Sequence, residues 1–223
     1  MEQHRPRSVL IAALAAIICM LQPIASSAAS ITVSGITFSD ELGGFVLKGV
    51  TGQGSLDDPF VLKERLTDLN GGTLLFRVSS GFGNQIGSPH SIGFAMVKIV
   101  ENGTGVPWTS FEIELQSKLG VPSGYDDGLS FGQGSSAGKP FTATGFGQVT
   151  LLDEPYDRIE LDQGKIETGA SATFRFVVSE TMPLQQAYLA QRPRRPVARA
   201  IPVRTSVRVG SLLGTDYHGS PPG

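Results

Sequence analysis

The chain has one cysteine and three histidines in 223 residues, and no stretch with a sustained helical period. Cys19 alone cannot close a disulfide, and it lies in an apolar run near the N-terminus rather than in the body of the chain. A lipid-modified cysteine requires a small residue just before it, and Ala16-Ile17-Ile18 provides none. Beyond residue 29 only His90 and His218 remain as histidines, so imidazole chemistry has few carriers. A domain without disulfides must be held by its core, and roughly 150 ordered residues bury enough apolar surface to do so. The one apolar run, residues 8–21, is shorter than the roughly 20 residues that cross a bilayer.

That run has a different meaning. Arg5 and Arg7 precede it, Gln22-Pro23 breaks it, and Ala25-Ser26-Ser27-Ala28-Ala29 follows with small residues suited to a signal peptidase. Residues 1–29 therefore read as a secretory signal peptide with cleavage after Ala28 or Ala29, and the compartment expected is secreted or periplasmic.

The net charge of −2 conceals two regions of opposite sign. Residues 30–182 hold 10 lysines and arginines against 18 aspartates and glutamates, a balance of −8. Residues 183–223 hold six arginines (192, 194, 195, 199, 204, 208) against Asp216, a balance of +5. The division expected is a β-domain over 30–182 and a flexible, basic, Pro/Arg-rich tail over 183–223, in which six of the 14 prolines fall. Such a tail suits acidic surfaces, including the acidic body itself. It has few aromatics to interleave with bases, only Tyr188 and Tyr217, which argues against nucleic acid.

Within the body the period is two. In "TSFEIELQSKL" Phe111, Ile113 and Leu115 alternate with Glu112, Glu114 and Gln116, which puts one face in a core and the other in water. "GASATFRFVVSE" alternates in the same way. "SIGFAMVKIV" is apolar on both faces and reads as a central strand. Shorter candidates ("GTLLFRVSS", "GFVLKGV", "ITVSGITFS", "GQVTLLD", "DRIELD") are separated by Gly, Asp, Asn, Ser and Pro. "PFVLKERLTDL" fits a strand or two to three helical turns, with Asp58 as cap and Pro59 in first position. The sum is an all-β antiparallel sandwich, jelly-roll or immunoglobulin-like. "TGQGSLDDPFVL" is similar to the Gly-x-Gly-Ser/Thr-x-x-Asp-Pro string that opens modules in many bacterial surface proteins, which fits export and assigns no site.

Three functional patterns overlap in "SGYDDGLSFGQGSSAGKPF", residues 123–141. Ser136 sits in a G-x-S-x-G string, but a hydrolase elbow needs a helix after the serine, and Ala137-Gly138-Lys139-Pro140 does not start one. The G-x-G-x-x-A string (Gly132, Gly134, Ala137) lacks the βαβ unit of a dinucleotide site. Acidic turns are the remaining candidates: Asp57 and Asp58, Asp126 and Asp127, and Asp153 with Glu154 and Asp157. Calcium takes six to eight oxygens from such groups, so Asp57, Asp58, Asp126, Asp127 and Asp153 form the candidate calcium set, although solvated turns account for the same residues. Tyr125, Asp126 and Asp127 are the candidate ligand contacts. Trp108 and Tyr156 are further aromatics, Trp108 reading as a core plug. Asn102-Gly103-Thr104 is a formal glycosylation sequon that reads equally as a turn.

The function expected is a non-catalytic binding, adhesive or matrix module, with cell-envelope polysaccharide or another surface protein as partner. The alternative is a polysaccharide hydrolase using paired carboxylates, Glu112 with Glu114 or Asp126 with Asp157. On one strand, Glu112 and Glu114 point the same way about 7 Å apart, near the lower end of the spacing in inverting glycosidases.

Overall fold

A computed structural model of the chain describes residues 28–132, 141–152 and 157–194. Residues 1–27, most of the expected leader, and residues 195–223, most of the expected tail, lie outside them. So do Ser136 with most of both glycine strings, and Asp153, Glu154 and Tyr156.

The described chain is built from strands. In order they are β1 (Ser30–Val33), β2 (Ile36–Ser39), β3 (Phe45–Thr51), β4 (Phe60–Leu66), β5 (Gly72–Val78), β6 (Ile92–Asn102) and β7 (Ser110–Lys118). Then follow β8 (Val121–Pro122), a 3-10 turn (Tyr125–Asp127), β9 (Leu129–Ser130), β10 (Thr142–Ala143), β11 (Gln148–Leu152), β12 (Arg158–Asp162), β13 (Ser171–Glu180) and β14 (Gln186–Arg194). They form an eight-stranded sheet in the order β1-β2-β5-β14-β7-β12-β11, with β8 beside β7. The second sheet has six strands in the order β10-β13-β6-β4-β3, with β9 beside β13. All named pairs are antiparallel except β4 with β6, which are parallel because the chain passes through β5 in the other sheet between them. The two sheets pack face to face as a β-sandwich.

The alternation in the sequence explains the core. Ile36 and Phe38, Leu74 and Phe76, Phe111, Ile113 and Leu115, and Ile159 and Leu161 face inward from one sheet. Phe60 and Leu62, Phe94 and Met96, and Phe174, Phe176 and Val178 meet them from the other. Phenylalanine edges interlock: Phe76 and Phe94 are T-shaped with centroids 5.6 Å apart, as are Phe38 and Phe60 at 5.3 Å. Each such ring contributes about 1.5–3 kcal/mol by leaving water. "PFVLKERLTDL" resolves as the strand β4, because Phe60, Leu62, Glu64 and Leu66 all turn inward. β6 lies centrally, between β13 and β4, as its two-faced apolar pattern implies.

The boundary expected after Met182 is corrected. Residues 186–194 are not a flexible extension but β14, a strand inside the larger sheet, paired on one side with β5 and on the other with β7. Ala187 and Leu189 are fully buried. Pro193 is tolerated because successive residues of a strand offer their backbone groups to opposite neighbours. Arg194 gives its carbonyl to Thr109 N beside β7, so Pro193 faces the other side, where β5 has already ended opposite Gln191. Gly71 makes room for this strand: its φ is +93°, and a Cβ there would lie 2.1 Å from the Gln191 carbonyl oxygen. Among the described residues no helix is long and apolar enough to cross a membrane.

Candidate functional site

Strand directions decide where the loops go. The connections 34–35, 52–59, 79–91, 119–128 and 181–185 all emerge at one end of the sandwich. The topology therefore carries the turns of Asp57 and Asp58 and of Asp126 and Asp127 to a common end. Sharing an end does not make them a site. Among the described residues, no three acidic, histidine or cysteine side chains stand where they could hold one ion.

Asp127 is occupied within its own turn. Its Oδ1 accepts from Ser123 Oγ at 2.8 Å and Leu129 N at 3.1 Å, and its Oδ2 from Gly124 N at 3.3 Å. Asp126, Asp57 and Asp58 are exposed, and the backbone of Asp58 closes its loop by accepting from Gln53 N and Gly54 N. Asp157, a partner in the alternative carboxylate pair, is buried and accepts from Ser130 Oγ at 2.7 Å and Ser123 Oγ at 3.3 Å. Two of the other site candidates are structural. Trp108 is fully buried, donates Nε1 to Thr104 Oγ1 at 3.0 Å and packs on Phe111, as its reading as a plug implied. Asn102 of the sequon is also fully buried, its amide donating to the carbonyls of Val106 and Ile166.

Glu112 and Glu114 require a larger correction. The sequence puts them in water, yet each is only 4% exposed. β14 lies beside β7 with Arg192 opposite Glu112, and the arginines close over the carboxylates. Arg192 donates to Glu112 and, at 3.0 Å, to Glu114, while Arg194 donates to Glu112 at 2.7 Å. Gln116 Nε2 adds a bond to Glu114 at 2.8 Å. Burial pushes the Glu114 carboxyl up, but the bonds from Arg192 and Gln116 outweigh it and hold the group below the usual carboxylate range. A general acid needs the opposite shift. The pair behaves as a charge lattice stitching β14 to β7.

A concave feature at the loop end remains. Between the loops 79–91 and 181–185 runs a groove of about 560 Å³, bordered by Val78, Phe82, Ile92 and Leu184 on its apolar walls and by Ser79, Ser80, Gln185 and Arg77 on its polar ones. Its size falls within the range of small-ligand clefts. Phe82 is anchored from behind, with ring centroids 6.3 Å from Phe60 and 6.2 Å from Phe94.

The loops that frame the groove are fastened. Asn84 donates to the carbonyls of Ser88 and His90 and accepts from Ile86 N, while Ser91 Oγ donates to the Thr181 carbonyl at 2.8 Å, tying one loop to the other. Val78 N donates to the Gln185 carbonyl at 2.8 Å. Ile86 covers Ala95 and Val177 on the outer face of the six-stranded sheet. Arg77 is fixed at the rim by two bonds to Glu41, at 2.6 and 3.2 Å. Sequence reasoning missed this groove, because its walls come from chain positions about a hundred residues apart. A second groove, of about 630 Å³, opens at the opposite end beside Pro193 and Arg194, where the description of the chain stops.

Comparison of the chain with protein-family models, with curated proteins and with solved structures returns no match.

Proposed function

We propose that this chain is an exported, non-catalytic β-sandwich that serves as a binding or adhesive module, and that it takes a segment of envelope polysaccharide in the end groove. The supporting observation is a fastened cleft that combines an aromatic ring with hydroxyl, amide and guanidinium groups. An aromatic ring offers a face to the C–H side of a sugar, and the polar groups suit its hydroxyls and any carboxylate. The hydrolase alternative loses support, since Glu112 and Glu114 are bound by Arg192 and Arg194, and Asp157, the partner that Asp126 would need, is buried and bound by Ser123 and Ser130.

Affinity electrophoresis through gels containing a panel of bacterial and plant polysaccharides tests the reading. At least one should retard the protein, and Phe82→Ala should weaken retardation about tenfold, equivalent to about 1.4 kcal/mol. The melting temperature of the variant must be followed, because Phe82 also touches the core. Ser80→Trp, which fills the groove from its edge, provides the second variant. Retardation indifferent to both changes would remove the groove from the proposal.

A further inference from the structure

The first described residues suggest how the leader is removed. Ala28 is exposed, whereas Ala29 is partly buried and packs against the core. Ala29 N lies 2.6 Å from Asp40 Oδ1, and Asp40 N returns a bond to the Ala29 carbonyl at 3.1 Å. Asp40 is itself 8% exposed, and its Oδ2 accepts from Leu47 N at 2.8 Å. One carboxylate therefore joins the entry to β1, the end of β2 and the start of β3.

We infer that Ala28–Ala29 is the bond cleaved on export, and that the new α-ammonium of Ala29 forms an ion pair with Asp40 that completes the fold. The inference rests on the export reading of residues 1–29. Cleavage after Ala28 and cleavage after Ala29 both satisfy the small-x-small rule, with Ser26 or Ser27 at the third position back. The geometry separates them. Hydrolysis adds water across the Ala28–Ala29 peptide, leaving a carboxylate on the leader and an amine on Ala29 that takes up a proton near neutral pH. A neutral amide donor 2.6 Å from a carboxylate oxygen thereby becomes a cationic one, and charge-assisted bonds are roughly twice as strong. Cleavage one residue later would delete the donor and leave Asp40 Oδ1 without its partner in a mostly closed position.

Of the neighbouring ionisable groups, Glu41 is already held by Arg77 and Ser39. Asp40 is thus the acceptor placed for the new terminus. β1 begins only at Ser30, so cutting between Ala28 and Ala29 removes no strand residue.

The test has two arms. Full-length chain is expressed in an exporting bacterial host, and the N-terminus of the exported protein is read by sequencing and intact mass; Ala29 is expected first. Proteins beginning at Ala29 and at Ala28 are then released from a cleavable fusion and melted, each with Asp40 intact and with Asp40→Asn. Starting at Ala29 should raise the melting temperature by about 2–5 °C with Asp40 and by much less with Asp40→Asn. An N-terminus at Ser30 overturns the cleavage assignment. Equal gains in both backgrounds overturn the ion pair. Retention of residues 1–28 on the product sinks the export reading itself, a result separate from either.

Discussion

On the outer face of the eight-stranded sheet, Glu112 and Glu114 are bound by Arg192 and Arg194. On the inner face of the six-stranded sheet, Lys98 and Glu64 are bound to one another at 2.8 Å, and both side chains are fully shut off from water. The chemistry is the same and the environment is not. Arg192 and Arg194 keep 38% and 63% of their side chains exposed, so they retain much of their hydration while covering the acids. Lys98 has none. Burial holds its ammonium below the usual lysine range, only partly offset by Glu64, and Glu64 Oε1 has no hydrogen-bond partner among the described residues. Taking two charges from water costs several kcal/mol each, and one ion pair barely offsets that. The outer lattice adds to stability by joining strands, whereas the inner pair mainly restricts which packings are permitted.

The largest effect tests the lattice together with the strand that carries it. A chain ending at Gln185 lacks β14, so the larger sheet loses its joint between β5 and β7; it should fail to fold, because the whole stability of a domain is only about 5–15 kcal/mol. A chain ending at Arg194 should melt within a few degrees of the full chain. Circular dichroism and thermal melts distinguish the two, and a folded product ending at Gln185 would refute the central place of β14.

Next in size is the inner pair. Glu64→Ala or Lys98→Ala alone should cost about 3–5 kcal/mol in urea unfolding, since either leaves a buried charge unmatched. The combined Lys98→Met and Glu64→Leu change should cost far less than the singles, or stabilise. Singles and double falling together would mean that the pair is as favourable as the lattice, and the contrast would dissolve.

The smallest effect belongs to the lattice acids. Replacing Glu112 and Glu114 by Gln should cost about 1–2 kcal/mol at pH 7, discounted because the arginines are well hydrated. Glu114 has a folded pKa below its ordinary value, so its contribution is full above the unfolded value of about 4.3 and is lost as the pH falls through the lowered folded value. The Gln variant should therefore show a flatter loss of stability below about pH 4.5 than the parent. Parallel profiles would show that Arg192 and Gln116 do not hold Glu114 ionised.

Much of the fold was legible because a half-buried strand announces itself through alternation. Phe111-Glu112-Ile113-Glu114-Leu115 and Ala172-Thr173-Phe174-Arg175-Phe176 did so, and both are strands. β14 did not. "QAYLAQRPR" has one large aliphatic residue facing inward, together with two arginines and a proline that resemble a linker, and its neighbours stabilise it more than its own pattern does. The acidic turns at Asp57–Asp58 and at Asp126–Asp127 were legible as turns, but the use of each carboxylate was hidden. Asp127 is distinguished from Asp126 by Ser123, Leu129 and Gly124 folding around it, which adjacent identical letters do not reveal.

What the sequence determined by itself was local: an all-β chain, strand positions set by period two, and turns set by glycine, aspartate and proline. These follow from φ/ψ preferences and from side chains alternating across a strand, which need no distant partner. Tertiary structure alone decided that β4 and β6 run parallel, that residues 186–194 enter the sheet, and that the outward face of β7 is covered rather than wet. The arginines that cover Glu112 and Glu114 arrive from 78 to 82 residues further along the chain. Whether a carboxylate meets water or a guanidinium depends on which strand lies beside it, and strand neighbours are chosen by the packing of the whole core.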